Sequence, residues 1–272
     1  MRDTILIIGG NGKTGGRVQA RLAARGLATR AVSRSAETPF DWERPETWPG
    51  ALAGVSRAYV TYQPDLAVDG ADEAIARLAR LGREAGLQQM VLLSGRGEPG
   101  AQRAEAALRE SGLNWNVVRA SWFNQNFSEG YLLGAIQSGE LALPAGDVPE
   151  PFTDAGDIAD VAVAALTDPR HLNRLYEVTG PRALSFAEAV AAIAGASGRD
   201  IRYRQVPAGH FAAAMQGDVP QPIIDLLLDL FTVVLDGRNS TPTHGVQEAL
   251  GRPPRDFADY ARATAATGVW AG

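Results

Sequence analysis

A glycine-rich turn directly behind an apolar strand leaves this chain few folds to choose from. Ile5-Leu6-Ile7-Ile8 is an unbroken apolar run, and it feeds into Gly9-Gly10-Asn11-Gly12-Lys13-Thr14-Gly15-Gly16-Arg17. Such a run reads as a strand buried on both faces. Gly10, Gly12 and Gly15 satisfy G-x-G-x-x-G, and Gly9, Gly12 and Gly15 satisfy the looser G-x-x-G-x-x-G. Glycines here let the backbone turn tightly, approach a pyrophosphate without a Cβ in the way, and pack strand on helix. The N–H groups and dipole of the following helix then favour phosphate. Val18, Leu22 and Ala23 continue at helical spacing, Gly26 ends the helix, and Thr29–Val32 supplies a second strand. That is the context a dinucleotide turn requires. A phosphate-loop reading of Gly12-Lys13-Thr14 fails, because Ile7 stands where that motif needs glycine.

Apolar runs alternate with helical patterns over the first two-thirds of the chain. The pattern predicts strands at Thr4–Ile8, Thr29–Val32, Arg57–Thr61, Gln89–Leu93, Asn116–Arg119 and Leu175–Val178. It predicts helices at Lys13–Arg25, Asp69–Ala85, Gly100–Ser111, Ser128–Gln137 and Asp157–Leu166. Alternation of this kind gives an α/β fold, a doubly wound parallel Rossmann sheet with helices on both faces. Beyond Gly180-Pro181 the rhythm changes. Ser185 and Glu188 have the spacing of a capping box, and Pro207, Pro220, Pro222, Pro253 and Pro254 cut the remainder into short helices. The expected division is a dinucleotide-binding domain at 1–180 and a smaller, mostly helical substrate lobe at 181–272.

With 272 residues, 45% of them hydrophobic and 21% charged, the chain has the make-up of a soluble globular enzyme with a sizeable core. A net charge of −5 argues against nucleic acid or an anionic membrane as partner. The Ile223 to Leu235 run is broken by Asp225 and Asp229, so no bilayer span is expected. The first strand begins within three residues, which leaves no room for a signal peptide and suits a cytoplasmic setting. With no cysteine there is no thiolate nucleophile or disulfide, and His171, His210 and His244 lack metal-ligand spacing, so no metal is expected.

The end of the second strand normally reads the adenosine ribose: an acid there bonds the 2′-hydroxyl of NAD, whereas arginine accommodates the 2′-phosphate of NADP. Here Arg30-Ala31-Val32-Ser33-Arg34-Ser35 holds no carboxylate before Glu37. Arg34 can fork to a phosphate and Ser33 can add a short hydrogen bond, which selects NADP(H).

These residues resemble the NmrA-like family of atypical short-chain dehydrogenase/reductases. The nucleotide turn, Glu105 to Leu113 with Val117-Val118-Arg119, and Phe123-Asn124-Gln125-Asn126-Phe127 are similar to its blocks. So are Phe152-Thr153-Asp154, Asp157 to Ala162, and Tyr176 to Gly180. The resemblance implies an NADP(H)-binding Rossmann domain with a small helical lobe. The family implied includes reductases of quinones, iminium ions and other natural products, together with NADP(H)-sensing regulators that do not turn over. Gly9, Asn11, Gly12, Lys13, Thr14 and Gly15 are expected at the pyrophosphate, Ser33 and Arg34 at the 2′-phosphate, and Tyr62 and Gln63 at the nicotinamide ribose.

Typical short-chain reductases protonate the product with a Tyr-x-x-x-Lys pair. None of the six tyrosines has lysine four residues on, because Lys13 is the only lysine in the chain. The resemblance leaves Ser94 at the position of the catalytic serine, where it would polarise a substrate carbonyl, with Asn126 assisting. Trp122, Phe123, Phe127, Tyr131, His210 and Phe211 are expected to line a pocket for a flat aromatic small molecule. The expected reaction is reduction of a ketone on a polycyclic, polyketide-type intermediate. An iminium or quinone acceptor, or a non-catalytic sensor, stands as the alternative.

Overall fold

The computed structural model describes residues 3–271. In chain order the chain forms β1 (Thr4–Ile8), α1 (Gly15–Ala24), β2 (Thr29–Val32), α2 (Trp48–Leu52), β3 (Val55–Val60), α3 (Ala71–Glu84), β4 (Gln89–Gly95) and α4 (Pro99–Arg109). There follow β5 (Asn114–Ala120), α5 (Asn126–Glu129), α6 (Leu133–Ser138), β6 (Glu140–Leu143), α7 (Ala155–Thr167) and β7 (Arg174–Val178). The last stretch holds α8 (Phe186–Ser197), β8 (Arg202–Gln205), α9 (Ala208–Met215), α10 (Gln221–Asp229), α11 (Gly245–Leu250) and α12 (Phe257–Ala265).

Two compact units emerge, and the chain passes between them more than once. The first comprises residues 1–120, 155–178 and 245–252; the second comprises 121–154, 179–244 and 253–272. The expected single boundary near residue 180 is therefore replaced by an interleaved one.

The first unit is the doubly wound sheet that the sequence predicts, with strand order β2-β1-β3-β4-β5-β7. Every neighbouring pair is parallel. The β1 run is apolar throughout because both faces are covered: Ile5, Leu6, Ile7 and Ile8 are all buried. Leu6 and Ile8 join Val60, Ile75, Leu78, Leu92 and Leu108 in one core layer. The chain reverses direction across the sheet at β1, and in such folds the crevice beyond the strand ends at this point is where ligands bind.

The second unit is built on an aromatic core of Phe127, Phe152, Phe186, Phe231, Phe257, Tyr260 and Trp270. Ser185 caps α8 as its spacing predicts, accepting from the Glu188 N–H at 3.2 Å while Glu188 Oε2 accepts from the Ser185 N–H at 2.8 Å. Two features depart from the sequence reading. The single helix expected over Ser128–Gln137 is broken, because Gly130 is fully extended between α5 and α6. The region is also not wholly helical: β6 and β8 form a parallel pair, latched by Arg204 and Glu140 at 2.7 Å. No helix among the described residues is long and apolar enough to cross a membrane.

Candidate active site

The nucleotide turn has the form its glycines dictate. Gly9 has φ +83°, a left-handed conformation that glycine adopts without strain. A Cβ on Gly9 would lie 2.1 Å from Thr61 Oγ1, and one on Gly15 would lie 2.2 Å from the Gly9 carbonyl oxygen. The turn is closed by the Gly12 N–H donating to the Gly9 carbonyl at 2.9 Å. No side chain caps α1, no acid stands in its first turn, and Thr14 is buried at the N-cap. The helix start thus keeps the amide-rich, side-chain-free surface that suits a pyrophosphate. Lys13 is half-buried, and its carbonyl accepts from Arg17 Nη1 at 2.7 Å.

At the end of β2, Asn11 Nδ2 donates to Ser33 Oγ at 3.3 Å, and Ser33 and Ser35 hydroxyls lie 3.5 Å apart. Arg34 beside them is exposed. The structure therefore gathers Asn11, Ser33 and Arg34 beside the turn, and these residues fit a phosphorylated adenosine ribose. Thr61 at the end of β3 donates to the Ile8 carbonyl at 3.1 Å, tying the two strand ends at the crevice. Tyr62 is half-buried, with its ring 4.5 Å from that of Trp42, while Gln63 is exposed. Burial, with the Glu43 carboxylate second, raises the Tyr62 phenol above its ordinary range, so it stays protonated.

Ser94 lies near the end of β4, but its chemistry differs from expectation. It is 5% exposed, and its hydroxyl donates to Glu105 Oε1 at 2.7 Å. Glu105, 2% exposed on α4, is in turn held by Arg119 of β5, whose Nε donates to Oε1 at 2.8 Å. Arg119 Nη1 also donates to Glu177 of β7 at 2.8 Å, and Arg96 Nε stands 3.5 Å from the same carboxylate. Ser94, Arg119 and Glu177 are register partners across three strands, and Glu105 reaches this row from α4. Hydrogen bonding by Glu105, then by Glu177, holds the Arg119 guanidinium above its ordinary range. A hydroxyl has a single proton, and here it is given to a carboxylate rather than offered to a carbonyl. This geometry counts against Ser94 as the polarising donor.

Sequence reasoning missed the group just beyond it. Glu98, at the N-cap of α4, is 9% exposed and faces Asp65 of the β3 loop. Burial, and then the neighbouring Asp65 carboxylate, pushes the Glu98 carboxyl up to about 9. No local pattern signals this, because the partner comes from a different strand end.

In the second unit, Phe127 is 0% exposed, its ring 5.6 Å from those of Phe152 and Phe257. It is a core residue rather than a pocket wall, since a ring so enclosed has no surface left for a ligand. Trp122, Phe123 and Phe211 are half-buried, and Trp122 and Phe211 both flank Phe231, at 4.9 and 5.5 Å. Asn126 opens α5 and is half-buried, while His210 and Tyr131 are exposed. Asn124, two residues before Asn126, is 0% exposed, and neither end of its amide has a hydrogen-bond partner. Leaving a buried amide unpaired costs roughly 1–3 kcal/mol. Asn124→Leu is therefore expected to raise the Tm of the ligand-free protein by several degrees. Calorimetric melts of both proteins check this, and an unchanged or lower Tm would mean that the amide is satisfied in solution.

Among the described residues, no group of three His, Asp or Glu could hold a metal ion. The NmrA-like family model matches residues 102–261. An NAD(P)H azoreductase of Xenophilus azovorans is 32% identical over 286 residues, covering 96% of this chain and 98% of that protein. A (4-alkanoyl-5-oxo-2,5-dihydrofuran-3-yl)methyl phosphate reductase of Streptomyces griseus is 29% identical, covering 94% and 96%. Triphenylmethane reductase of Citrobacter sp., crystallised with NADP(H), superposes with a TM-score of 0.74 at 19% identity, covering 96% and 99%. Together with the glycine turn and the six-stranded sheet, this places the chain in the NmrA-like family of atypical short-chain dehydrogenase/reductases.

Proposed function

We propose that this chain is an NADPH-dependent reductase of flat, conjugated acceptors of the quinone, azo or iminium type. The observation that carries this choice is the hydrogen bond from Ser94 to Glu105. A simple ketone calls for a serine free to polarise it, and the Ser94 proton is already given to Glu105. Conjugated acceptors place less demand on such a donor, because the charge left by reduction spreads over the ring system or is cancelled on nitrogen. Bound NADPH supplies a hydride and its electron pair. The residues of the chain supply the rest. The bare glycine turn and uncapped α1 hold the pyrophosphate, Asn11, Ser33 and Arg34 hold the 2′-phosphate, and Trp122, Phe123 and Phe211 offer half-buried aromatic faces for a planar molecule. The partner is thus a small aromatic molecule, and the acidic, cysteine-free composition suits the cytoplasm.

Mixing the protein with NADPH and, separately, a naphthoquinone, an azo dye, a cyclic iminium ion and an aromatic ketone tests this reading. Oxidation of NADPH by the conjugated acceptors in preference to the ketone is expected. A preference for the ketone, or no oxidation at all, would refute it. The 2′-phosphate assignment has its own test. Arg34→Ala is expected to weaken NADPH about 10- to 100-fold, the size of a lost charge-assisted hydrogen bond, and to leave NADH within about twofold. Equal losses in titrations of the two coenzymes would remove Arg34 from that role.

A further inference from the structure

Three observations in the first unit meet at one place. The first is the strand order β2-β1-β3-β4, which sets along one sheet edge Ser33 after β2, the glycine turn after β1, Thr61 to Gln63 after β3, and Gly95 to Glu98 after β4. The turn touches the β3 end directly, since a Cβ on Gly9 would lie 2.1 Å from Thr61 Oγ1. A dinucleotide with its 2′-phosphate at Ser33 and its pyrophosphate on the turn therefore extends toward the ends of β3 and β4.

The second observation is how tightly the chain packs there. A Cβ on Gly95 would lie 2.2 Å from Glu98 Oε1, and one on Gly100 would lie 2.1 Å from the Ala67 carbonyl oxygen. The Glu98 carboxyl thus rests on the bare α-carbon at the tip of β4, and the start of α4 is pressed onto the β3 loop. The third is the partner. Glu98 faces Asp65, whose Oδ1 accepts from the Ala67 N–H at 2.8 Å. Two carboxyl groups side by side, one of them 9% exposed, favour a proton on the buried one, and Asp65, half-exposed, reaches solvent. The cations on either side are engaged elsewhere: Arg96 faces Glu177, and Arg103 of α4 faces Asp69 and Asp72.

We propose that Glu98, buried beside Asp65 at the end of β4, is the proton donor of this reductase, in place of the missing tyrosine–lysine pair. The proposal rests on the reading of the chain as an NADPH-dependent reductase. The acceptor's double bond takes a hydride, with its electron pair, at one atom; its π pair moves to the other atom, which takes the proton from the Glu98 carboxyl. The Glu98 O–H bond breaks, and the carboxylate regains a proton from solvent by way of Asp65. The raised affinity of Glu98 for its proton keeps the donor loaded at neutral pH and empties it as the pH climbs past about 9.

Glu98→Gln keeps the size and a hydrogen-bond donor but has no acidic proton. With the naphthoquinone and the azo dye, its rate is expected to fall about 10²- to 10⁴-fold, the usual contribution of a general acid. NADPH affinity should stay within about twofold by fluorescence titration, since the proposed phosphate seats follow β1 and β2 whereas Glu98 follows β4. The wild-type rate should be flat around neutrality and fall at alkaline pH. Asp65→Asn removes the charge that holds the proton on, so the fall should begin at lower pH. An infrared difference spectrum gives a readout independent of turnover: a protonated carboxyl band at neutral pH, absent in Glu98→Gln, that shifts when NADP⁺ binds. A Glu98→Gln enzyme with the wild-type rate and alkaline fall would overturn the assignment. Should the wild type bind NADPH yet reduce none of the acceptors, the reductase reading fails instead. The spectrum then decides Glu98, and a missing band, or one indifferent to NADP⁺, overturns it.

Discussion

Gly15→Ala is expected to abolish coenzyme binding in a protein that still folds. The added methyl carbon would stand 2.2 Å from the Gly9 carbonyl oxygen, 2.7 Å from its carbon and 3.2 Å from the Gly10 α-carbon. All three neighbours are backbone, so relief requires the turn itself to open. Overpacking of this kind costs about 1–3 kcal/mol in stability, tolerable for most domains. Binding suffers more, because every amide aimed at the pyrophosphate belongs to the deformed segment. A loss of at least ~100-fold in NADPH affinity, about 2.8 kcal/mol, should register by calorimetry. Gly195→Ala is the control. It lies within α8, nothing stands within 4 Å of its added carbon, and it should stabilise the protein by roughly 0.5–1 kcal/mol while binding stays unchanged. If Gly15→Ala binds NADPH normally, the glycine turn is not the pyrophosphate seat.

Arg119→Met should produce the largest loss of stability. Its guanidinium holds Glu105 by two donors and Glu177 by a third, and Glu105 has no route to water. Removing one partner of a buried ion pair costs about 3–5 kcal/mol, because Glu105 would keep only the Ser94 hydroxyl and Arg109, whose Nη2 stands 3.8 Å from Oε2. For a chain of this size that is a Tm lower by on the order of 10 °C. Replacing both partners tells more. Glu105→Met with Arg119→Met substitutes an apolar pair of similar volume, so the double variant should melt above Arg119→Met alone. Additive losses across this cycle would show that Glu105 is satisfied without Arg119.

The sheet was legible in the sequence for a local reason. Burial on both faces forces continuous apolar runs such as Ile5 to Ile8, and the glycine turn marks which strand comes first. The cap on α8 was legible too, because Ser185 and Glu188 are three residues apart and satisfy one another. What escaped depends on residues distant in sequence. Ser94 reads as a free hydroxyl until α4 brings Glu105 over it, and Glu98 reads as an ordinary surface acid until the β3 loop delivers Asp65. Phe127 and Trp122 belong to one aromatic block, and no periodicity tells the enclosed ring from the half-buried one. β6 and β8 escaped because four-residue strands carrying Glu140, Arg202 and Arg204 have too little apolar pattern to stand out.

The interleaved path of the chain bears on how this molecule is made. The sheet reaches β5 by residue 120, but β7 and α7 arrive only after a 121–154 excursion into the other unit, and α11 arrives later still. Residues 245–252, which hold α11, are integral to the first unit: Arg252 Nη2 donates to Asp157 Oδ1 of α7 at 2.7 Å, and a Cβ on Gly245 would strike the Glu177 carbonyl oxygen at 2.1 Å. A chain emerging from the ribosome therefore completes its sheet only at β7 and lacks the last helix of the first unit until α11 has been synthesised. Both units draw on residues beyond 244, so a chain cut there would leave each of them incomplete.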